Sequence, residues 1–365
     1  MFEMPIYRHP DFNSDLLKNA PDAKFIIVDK DGVVPENFHS TSMFPEYCKI
    51  NKKWHLAEES RMDSSIVLNN DDSLSVVENR NVKIGDKVIV GRTEAAEDGI
   101  FVWANGFIKK AENHDKFVFR QGRSRETSYA KDYDQLISLL KYEKEHGGHV
   151  LWVMGPAFSF DANARSAMSA LINNGYCQGL MAGNALATHD LEGAYFHTAL
   201  GQDIYTQEHQ RFGHYNHLDI CNKVRRSGSI PQFIKDENID NGIIYSCVKN
   251  NVPITLASSI RDDGPLPEVI SNAYEAQRAM REQVIKSTTV ITLATMLHTI
   301  ATGNMTPSFR VRNDGSIRPL FFYTVDSDEF VVNKLLDRGS LSATTMVTNV
   351  QDFITKLAVG LGLDY

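Results

Sequence analysis

Apolar and polar positions follow different patterns in the two parts of the chain. Over residues 1–120, short β-branched runs are separated by turn sequences such as Ile84-Gly85-Asp86. Because no strongly periodic helix lies between these runs, the pattern predicts a β-rich subdomain, built as a small barrel or sandwich. The predicted strands are 25–28, 65–68, 74–77 and 87–90.

In residues 121–365 the apolar positions recur with a longer, helical spacing or in runs. Residues 132–146 have helical spacing and stop at Gly147-Gly148, and from Val150 onward apolar runs alternate with helical segments. This alternation predicts a Rossmann-like α/β domain with a mostly parallel sheet covered on both faces. The predicted strands are 150–154, 177–182, 252–257, 289–294, 320–325 and 344–348. The predicted helices are 163–173, 190–200, 214–226, 241–250, 267–285, 328–336 and 350–360.

Composition narrows the class of protein. The net charge of −8 leaves no basic excess to neutralise phosphates, so we expect neither nucleic acid nor an anionic membrane as a partner. The four cysteines form no CxxC pair, and the N-terminus has no basic region followed by an apolar stretch. We therefore expect a reduced, cytoplasmic, soluble protein.

Polar residues follow each predicted strand of the second part, where parallel sheets bind their ligands. The GxGxxG sequence of dinucleotide sites is absent there, so a cofactor site would be built from other residues. The strand-end segments are 155–157, 183–190, 258–265, 294–298, 325–328 and 347–349. Asp326 is placed to accept hydrogen bonds from a ribose diol, although any single strand-end Asp or Asn is equally typical of a helix cap.

His189 and Asp190 form a titratable pair just after the second strand end. The pattern puts them at the start of a helix, where Asp190 and Glu192 would stabilise the first turn by capping. Capping does not explain the histidine, whose imidazole can take or deliver a proton near pH 7. We therefore select His189 and Asp190 as candidate proton-transfer residues.

His214 and His217 are three residues apart and share one side of a predicted helix. No third ligand lies nearby in the sequence, so we expect no metal. Contact of His214 and Asn216 with a substrate or phosphate is one alternative, and plain packing of the histidines is the other.

The loop after the third predicted strand contains Arg261, Asp262 and Asp263, followed by two prolines that rigidify it. Paired aspartates suit an ammonium group or a ribose. The alternative is a solvated capping loop.

These ordered motifs resemble the LOR/SDH family of archaeal-type ornithine cyclodeaminases, which includes the C-terminal part of bacterial arginine dihydrolase/ornithine cyclodeaminase fusions. The resemblance covers most of the chain, from residue 31 onward. The segments that carry it are 31–42 (DGVVPENFHSTS), 82–91 (VKIGDKVIVG), 183–190 (GNALATHD), 213–230 (GHYNHLDICNKVRRSGSI), 251–267 (NVPITLASSIRDDGPLP), 293–308 (LATMLHTIATGNMTPS) and 337–340 (DRGS).

The resemblance implies a deoxyhypusine synthase-like NAD-binding domain. The positions it implies for NAD are Asn184, Ala185, Asp263, Thr295, Met296, Leu297, His298, Asp326 and Asn349. The implied reaction is internal redox, in which ornithine loses hydride to NAD, cyclises with loss of ammonia and recovers the hydride as proline. His189 and Asp190 would then shuttle protons between the two nitrogens.

Two departures from the family pattern stand out. The chain begins close to the β-rich part, and it carries extra residues around 310–319. An altered amino-acid or imine substrate, as in a lysine-cyclising or opine-type enzyme, is one alternative function. A non-catalytic NAD-binding regulator is another. We also expect the protein to be a homo-oligomer that binds a small amino-acid substrate.

Overall fold

The computed structural model describes residues 2–107, 128–262, 264–329 and 343–365. In the first part, β1, β6, β4 and β5 form one antiparallel sheet in that order, and β3, β2 and β7 form another. The elements are α1 (Asp15–Lys18), β1 (Lys24–Ile27), β2 (Glu46–Ile50), β3 (Lys53–Leu56), β4 (Ser64–Leu68), β5 (Leu74–Glu78), β6 (Lys87–Val90) and β7 (Ile100–Val102). The β-rich character is confirmed. The predicted domain boundary at 120/121 lies outside the described residues.

Strand β2 was missed because its polar residues are buried. Lys49 donates to the backbone carbonyls of Leu17, Lys18 and Ala20, and Glu46 accepts hydrogen bonds from within its own subdomain. A buried polar side chain that finds such partners costs little, yet in a sequence it resembles a surface residue.

The second part is built on a seven-stranded sheet in which every neighbouring pair is parallel, in the order β13-β12-β9-β8-β14-β17-β18. Its elements are α2 (Ala130–Glu145), β8 (Val150–Met154), α3 (Ala162–Asn173), β9 (Gly179–Gly183), α4 (Asn184–Phe196), β10 (Thr198–Ala199), β11 (Gln202–Asp203), α5 (Asn216–Ser227), α6 (Ile230–Asp236), α7 (Ile243–Lys249), β12 (Ile254–Ala257), β13 (Val269–Ile270), α8 (Ala273–Val284), β14 (Thr289–Leu293), α9 (Met296–Met305), β15 (Phe309–Val311), β16 (Ile317–Pro319), β17 (Phe321–Asp326), β18 (Ala343–Val347) and α10 (Val350–Leu361). Without the short β13, the order is the doubly wound Rossmann order, so the predicted fold class is confirmed.

All six predicted strands of this sheet exist, with shifts of one or two residues at their ends. The helices were predicted less well. The helix predicted over 190–200 begins six residues earlier, and the one predicted over 267–285 contains an edge strand before α8. Helices α6 and α9 were missed, and most of the helix predicted over 328–336 falls outside the described residues.

The two parts are joined by hydrogen bonds. On α8, the Arg281 guanidinium donates to the carbonyls of Glu59, Ser60 and Met305, which lie on both sides of the junction. The backbone amide of Met62 donates to the Asn304 carbonyl over 3.1 Å. Burial of Arg281 lowers the pKa of its guanidinium to about 10, far above neutrality, so this link stays charged.

Residues 309–319, which include the segment predicted to be extra, form the antiparallel hairpin β15–β16. Its Arg318 makes a buried two-pronged ion pair with Glu143 of α2, with N–O distances of 3.0 and 2.6 Å. The Glu143 carboxylate also accepts from Thr289, the first residue of β14, so the hairpin is held at the amino edge of the sheet. None of the helices that the structure describes is both long and apolar enough to span a membrane.

Candidate active site

The order of the large sheet reverses between β8 and β14, and the two chain segments that leave these strands nearly touch. The backbone amide of Gly155 donates to the Leu293 carbonyl, and a Cβ at position 155 would lie 1.9 Å from the Ala294 carbonyl oxygen. Only glycine fits there. Ala294 itself has φ +50°, a left-handed conformation that is uncommon for alanine. This is the switch point at which sheets of this class bind ligands.

Several predicted site residues meet beside this point. The Oδ1 of Asn184, at the first turn of α4, accepts from the Leu266 amide over 3.0 Å and so ties α4 to the loop after β12. His298 lies over the neighbouring glycine, with its Cε1 3.3 Å from where a Cβ of Gly183 would be. The Nδ1 of His298 is 3.0 Å from the Thr295 hydroxyl.

The surroundings of His298 favour its neutral form. Burial lowers its pKa from the ordinary value of 6.5, and the nearby Asp262 carboxylate opposes this effect without reversing it. Asp262 is itself fixed by the backbone amide of Ser259, over 2.7 Å. The two residues therefore belong to one polar cluster at the carboxyl edge of the sheet.

Asp326 is the last residue of β17, and Asn349 follows the neighbouring strand β18. Burial raises the pKa of the half-buried Asp326 carboxyl, and a backbone hydrogen bond from Asp328 partly offsets the rise. Asn349 caps α10 by accepting from the amides of Gln351 and Asp352. The capping alternative thus accounts for the oxygen of Asn349.

The remaining predicted cofactor residues are distributed around the same edge. Ala185 is in the first turn of α4, whereas Met296 and Leu297 are exposed at the start of α9, by 46% and 74%. Exposed large apolar side chains at a sheet edge are typical of ligand sites. Asp263 lies outside the described residues.

His189 lies in the middle of α4 and is almost fully buried. Its Nδ1 is 2.8 Å from Oε2 of Glu192, one turn later on the same helix. Its ring packs against Phe160 and, with ring centroids 5.9 Å apart, against His217. The Nε2 of His189 makes no hydrogen bond to any residue in the described ranges.

Asp190 points to other partners. Its Oδ1 receives the Nε of Arg165 over 2.9 Å, and its Oδ2 accepts from the Ile244 amide over 2.8 Å. The carboxylate therefore joins α3, α4 and α7. A Cβ at Gly242, where φ is +107°, would lie 2.5 Å from the guanidinium, so glycine is required beside this pair.

The prediction that His189 and Asp190 begin a helix is wrong. No loop separates β9 from α4, so the helix already starts at Asn184, five residues before His189. Asp190 and Glu192 are fully buried in its middle, so neither carboxylate caps a first turn.

In the histidine-containing segment after residue 212, Asn216 and His217 lie close to His189 and its partners. The Nδ2 of Asn216 donates to the Thr198 hydroxyl over 2.8 Å. The Nδ1 of His217 is buried without a hydrogen-bond partner among the described residues, and burial, reinforced by His189, lowers the pKa of the ring. His214 is exposed, as is Arg261, and no metal-ligating cluster of three occurs in the described part of the chain.

Sequence reasoning missed the role of Glu192 and Thr198. Glu192 was interpreted as a cap, although its spacing of three residues from His189 puts both on one helix face. That spacing was the available signal. Thr198 lies in a two-residue strand after α4, and nothing in the sequence indicated that its hydroxyl would contact Glu192.

Comparison with known proteins agrees with the Rossmann-like fold. Residues 134–357 match the family described as arginine dihydrolase ArgZ-like, C-terminal, Rossmann fold. An ornithine cyclodeaminase of Methanocaldococcus jannaschii is 38% identical over 336 residues, which cover 90% of this chain and 75% of that protein. The bifunctional arginine dihydrolase/ornithine cyclodeaminase ArgZ of Synechocystis is 35% identical, and the match covers 90% of this chain and 45% of ArgZ.

Two solved structures have the same fold. A LOR/SDH protein of Methanococcus maripaludis superposes with a TM-score of 0.86 at 33% identity, covering 94% of this chain and 98% of the other. AgrE, solved as a ternary complex with ornithine and NAD+, gives 0.59 at 32% identity over 95% of this chain and 47% of AgrE. The chain therefore belongs to the family of ArgZ-like C-terminal Rossmann-fold domains, as its motifs predicted.

Proposed function

We propose that this chain is an NAD-dependent ornithine cyclodeaminase that converts L-ornithine to L-proline and ammonia by internal hydride transfer. The observation that carries the proposal is the layout of α4. The helix starts at the cofactor edge with Asn184 and, less than two turns later, holds His189 against Glu192. One rigid element thus joins a dinucleotide edge to a proton-transfer group. The ornithine and NAD+ found in AgrE support the choice of ligands.

The residues at the sheet edge fit a dinucleotide. The start of α4, directly after β9 at the carboxyl edge of the sheet, offers backbone amides to a phosphate chain. Asp326 is suited to accept from a ribose diol. The other residues that we assign to the cofactor are Ala185, Asp263, Thr295, Met296, Leu297, His298 and Asn349.

Bound NAD supplies a hydride acceptor for the α-carbon of ornithine and returns the hydride to the cyclic imine. The chain's own residues move protons. The free Nε2 of His189 takes a proton from the amine that attacks and delivers one to the ammonia that leaves. We assign the recognition of the substrate's charged ends to Asp262, Arg261 and His214, with Asn216 acting through Thr198.

The Asp190 carboxylate has a different part in this proposal from the one its position in the sequence suggested. Because Arg165 and the Ile244 amide occupy it, Asp190 holds α4 in place and leaves proton transfer to His189.

The decisive experiment uses ornithine deuterated at the α-carbon. The purified protein with NAD+ should produce proline and ammonia in a 1:1 ratio, retain deuterium at the α-carbon and accumulate no NADH. L-lysine, one methylene longer, serves as the substrate control. Net NADH from either amino acid would favour a different amino-acid oxidoreductase, and NAD binding without any turnover would favour a regulator.

We also propose that the chain assembles as a homo-oligomer. On the edge strand β1, Phe25, Ile26 and Ile27 are exposed, and successive residues of a strand point to opposite faces. An apolar edge of this kind is a site for pairing with another strand.

A further inference from the structure

Glu192 is the most completely bonded carboxylate near the site, and it has no exposed surface. Its Oε1 is 2.8 Å from the Thr198 hydroxyl and 3.1 Å from the Gly201 amide. Its Oε2 is 3.2 Å from the Leu200 amide and 2.8 Å from the Nδ1 of His189. A fully buried carboxylate with two bonds to each oxygen is satisfied in its ionised form.

Three of these four partners must donate. The two backbone amides can only donate. The Thr198 hydroxyl already accepts from the side-chain amide of Asn216, so its proton is donated to Glu192. An ionised carboxylate only accepts. The fourth partner, the Nδ1 of His189, must therefore also carry a proton.

We propose that Glu192 is a positioning residue that fixes His189 with its proton on Nδ1 and the lone pair of Nε2 turned away from the helix. The consequence for catalysis rests on the proposed function, in which Nε2 is the base. A histidine whose one nitrogen is held by a carboxylate presents the other in a single tautomer and orientation.

The groups around His189 support one tautomer. His217, from α5, packs against the His189 ring, and burial lowers the pKa of the His217 imidazole. His214 lies beyond it at the surface. The Glu192 carboxylate is thus the charged group in contact with the ring, and the chain Asn216–Thr198–Glu192–His189 connects it to α5.

The first test reads the tautomer and needs no substrate. In protein labelled with 15N-histidine, the ring signals of His189 are assigned by their loss in His189→Asn. We expect protonated Nδ1 and unprotonated Nε2 in the wild-type enzyme at pH 8. A proton on Nε2 in the wild-type protein would overturn the proposal, whether or not any variant folds.

Glu192→Gln should invert the tautomer. Two committed donors, the Thr198 hydroxyl and the Gly201 amide, meet on one side, whereas on the other side the Leu200 amide is the longer contact and the His189 ring can exchange its donor for an acceptor. We therefore expect the amide oxygen on the side of Thr198 and Gly201 and the amide nitrogen facing His189, where it donates to Nδ1. Glu143→Gln is the matched control, because Glu143 is equally buried but lies at the amino edge of the sheet. The control should keep the wild-type tautomer, and an unchanged tautomer in Glu192→Gln contradicts the assignment.

Kinetics then separate positioning from packing. Glu192→Gln should lower kcat by about 10²-fold or more, as expected for a misplaced general base, with little change in the KM for ornithine or in NAD affinity. Equal losses in kcat and NAD affinity would indicate a structural role and count against the proposal. If the tautomer is as described but ornithine is not turned over, the proposed function fails while the positioning role stands.

Discussion

At the scale of single residues, burial decides what the polar side chains of α4 can do. His189, Asp190 and Glu192 are close together in sequence, yet each has different partners. Glu192 satisfies backbone amides and His189, whereas Asp190 neutralises Arg165. Of these three side chains, His189 alone has a polar atom, its Nε2, without a hydrogen-bond partner among the described residues.

Replacing His189 by alanine should therefore affect turnover and leave cofactor binding near normal. We expect kcat to fall by about 10²-fold, the usual range for a lost general acid–base, while NAD affinity stays the same. Steady-state kinetics and calorimetric titration with NAD+ measure the two quantities. His146→Ala is the control, since His146 is exposed and caps α2. A His189→Ala enzyme with wild-type kcat would remove this residue from the reaction.

NAD affinity should depend on pH through Asp326. Its pKa is raised by burial, so this carboxyl takes up a proton at a higher pH than an ordinary aspartate does. A protonated carboxyl accepts ribose hydrogen bonds poorly. We therefore expect the affinity for NAD to be highest well above the raised pKa of Asp326 and to fall as the pH decreases towards it. Titrations from pH 8 to pH 4.5 measure the effect.

Asp326→Asn is the comparison for that experiment. The amide does not ionise, so the variant should bind NAD more weakly at neutral pH and lose the acid-side decline. If wild-type and variant proteins bind NAD equally over the whole range, Asp326 does not contact the ribose.

At the scale of elements, buried ion pairs fix the packing around the site. The Arg165–Asp190 pair joins three helices, and the Arg318–Glu143 pair holds the β15–β16 hairpin to α2. Breaking a buried pair leaves an uncompensated charge, which is much more costly than losing an exposed pair. We therefore expect the positions of α4 and of His189 to depend on the Arg165–Asp190 pair.

Asp190→Asn should lower the free energy of unfolding by about 3 kcal/mol, because Arg165 is left charged and buried. Urea denaturation followed by circular dichroism measures this loss. Glu237→Gln, which removes the partly exposed pair with Lys223, should cost less, about 1 kcal/mol. Equal stabilities of Asp190→Asn and wild-type protein would show that the ion pair is not what anchors α4.

At the scale of the whole molecule, β1 offers an edge that a second copy can complete. An antiparallel pairing centred on Ile26 would set Asp22 of one copy opposite Lys30 of the other, twice by symmetry, around the apolar centre. The sequence of this edge is therefore complementary to itself in charge as well as in hydrophobicity.

If the proposed homo-oligomer pairs through β1, Ile26→Lys should give a smaller species than the wild-type protein, because a charge at the two-fold centre would face its own copy. Light scattering coupled to size-exclusion chromatography gives the mass of each form. Ile84→Lys provides the control, since Ile84 is also exposed but lies in a turn. If Ile26→Lys has the wild-type mass, β1 is not the subunit interface.

The sequence by itself determined the parallel sheet, its strand ends and the family. The spacing of apolar residues and the polarity of strand ends are local properties, so they can be recognised without knowledge of the packing. The segments at residues 183–185 and 294–298 were therefore correctly located at strand ends, and the capping alternative for Asn349 was already visible.

Tertiary structure decided the rest, because the partner of a buried polar group comes from a distant segment. Asp190 finds Arg165 and Ile244, Glu192 finds Gly201 and Thr198, and the buried polar residues of β2 find carbonyls near Ala20. A carboxylate that caps, one that anchors and one that positions a base are identical in a sequence. They differ only in the donors that folding brings to them.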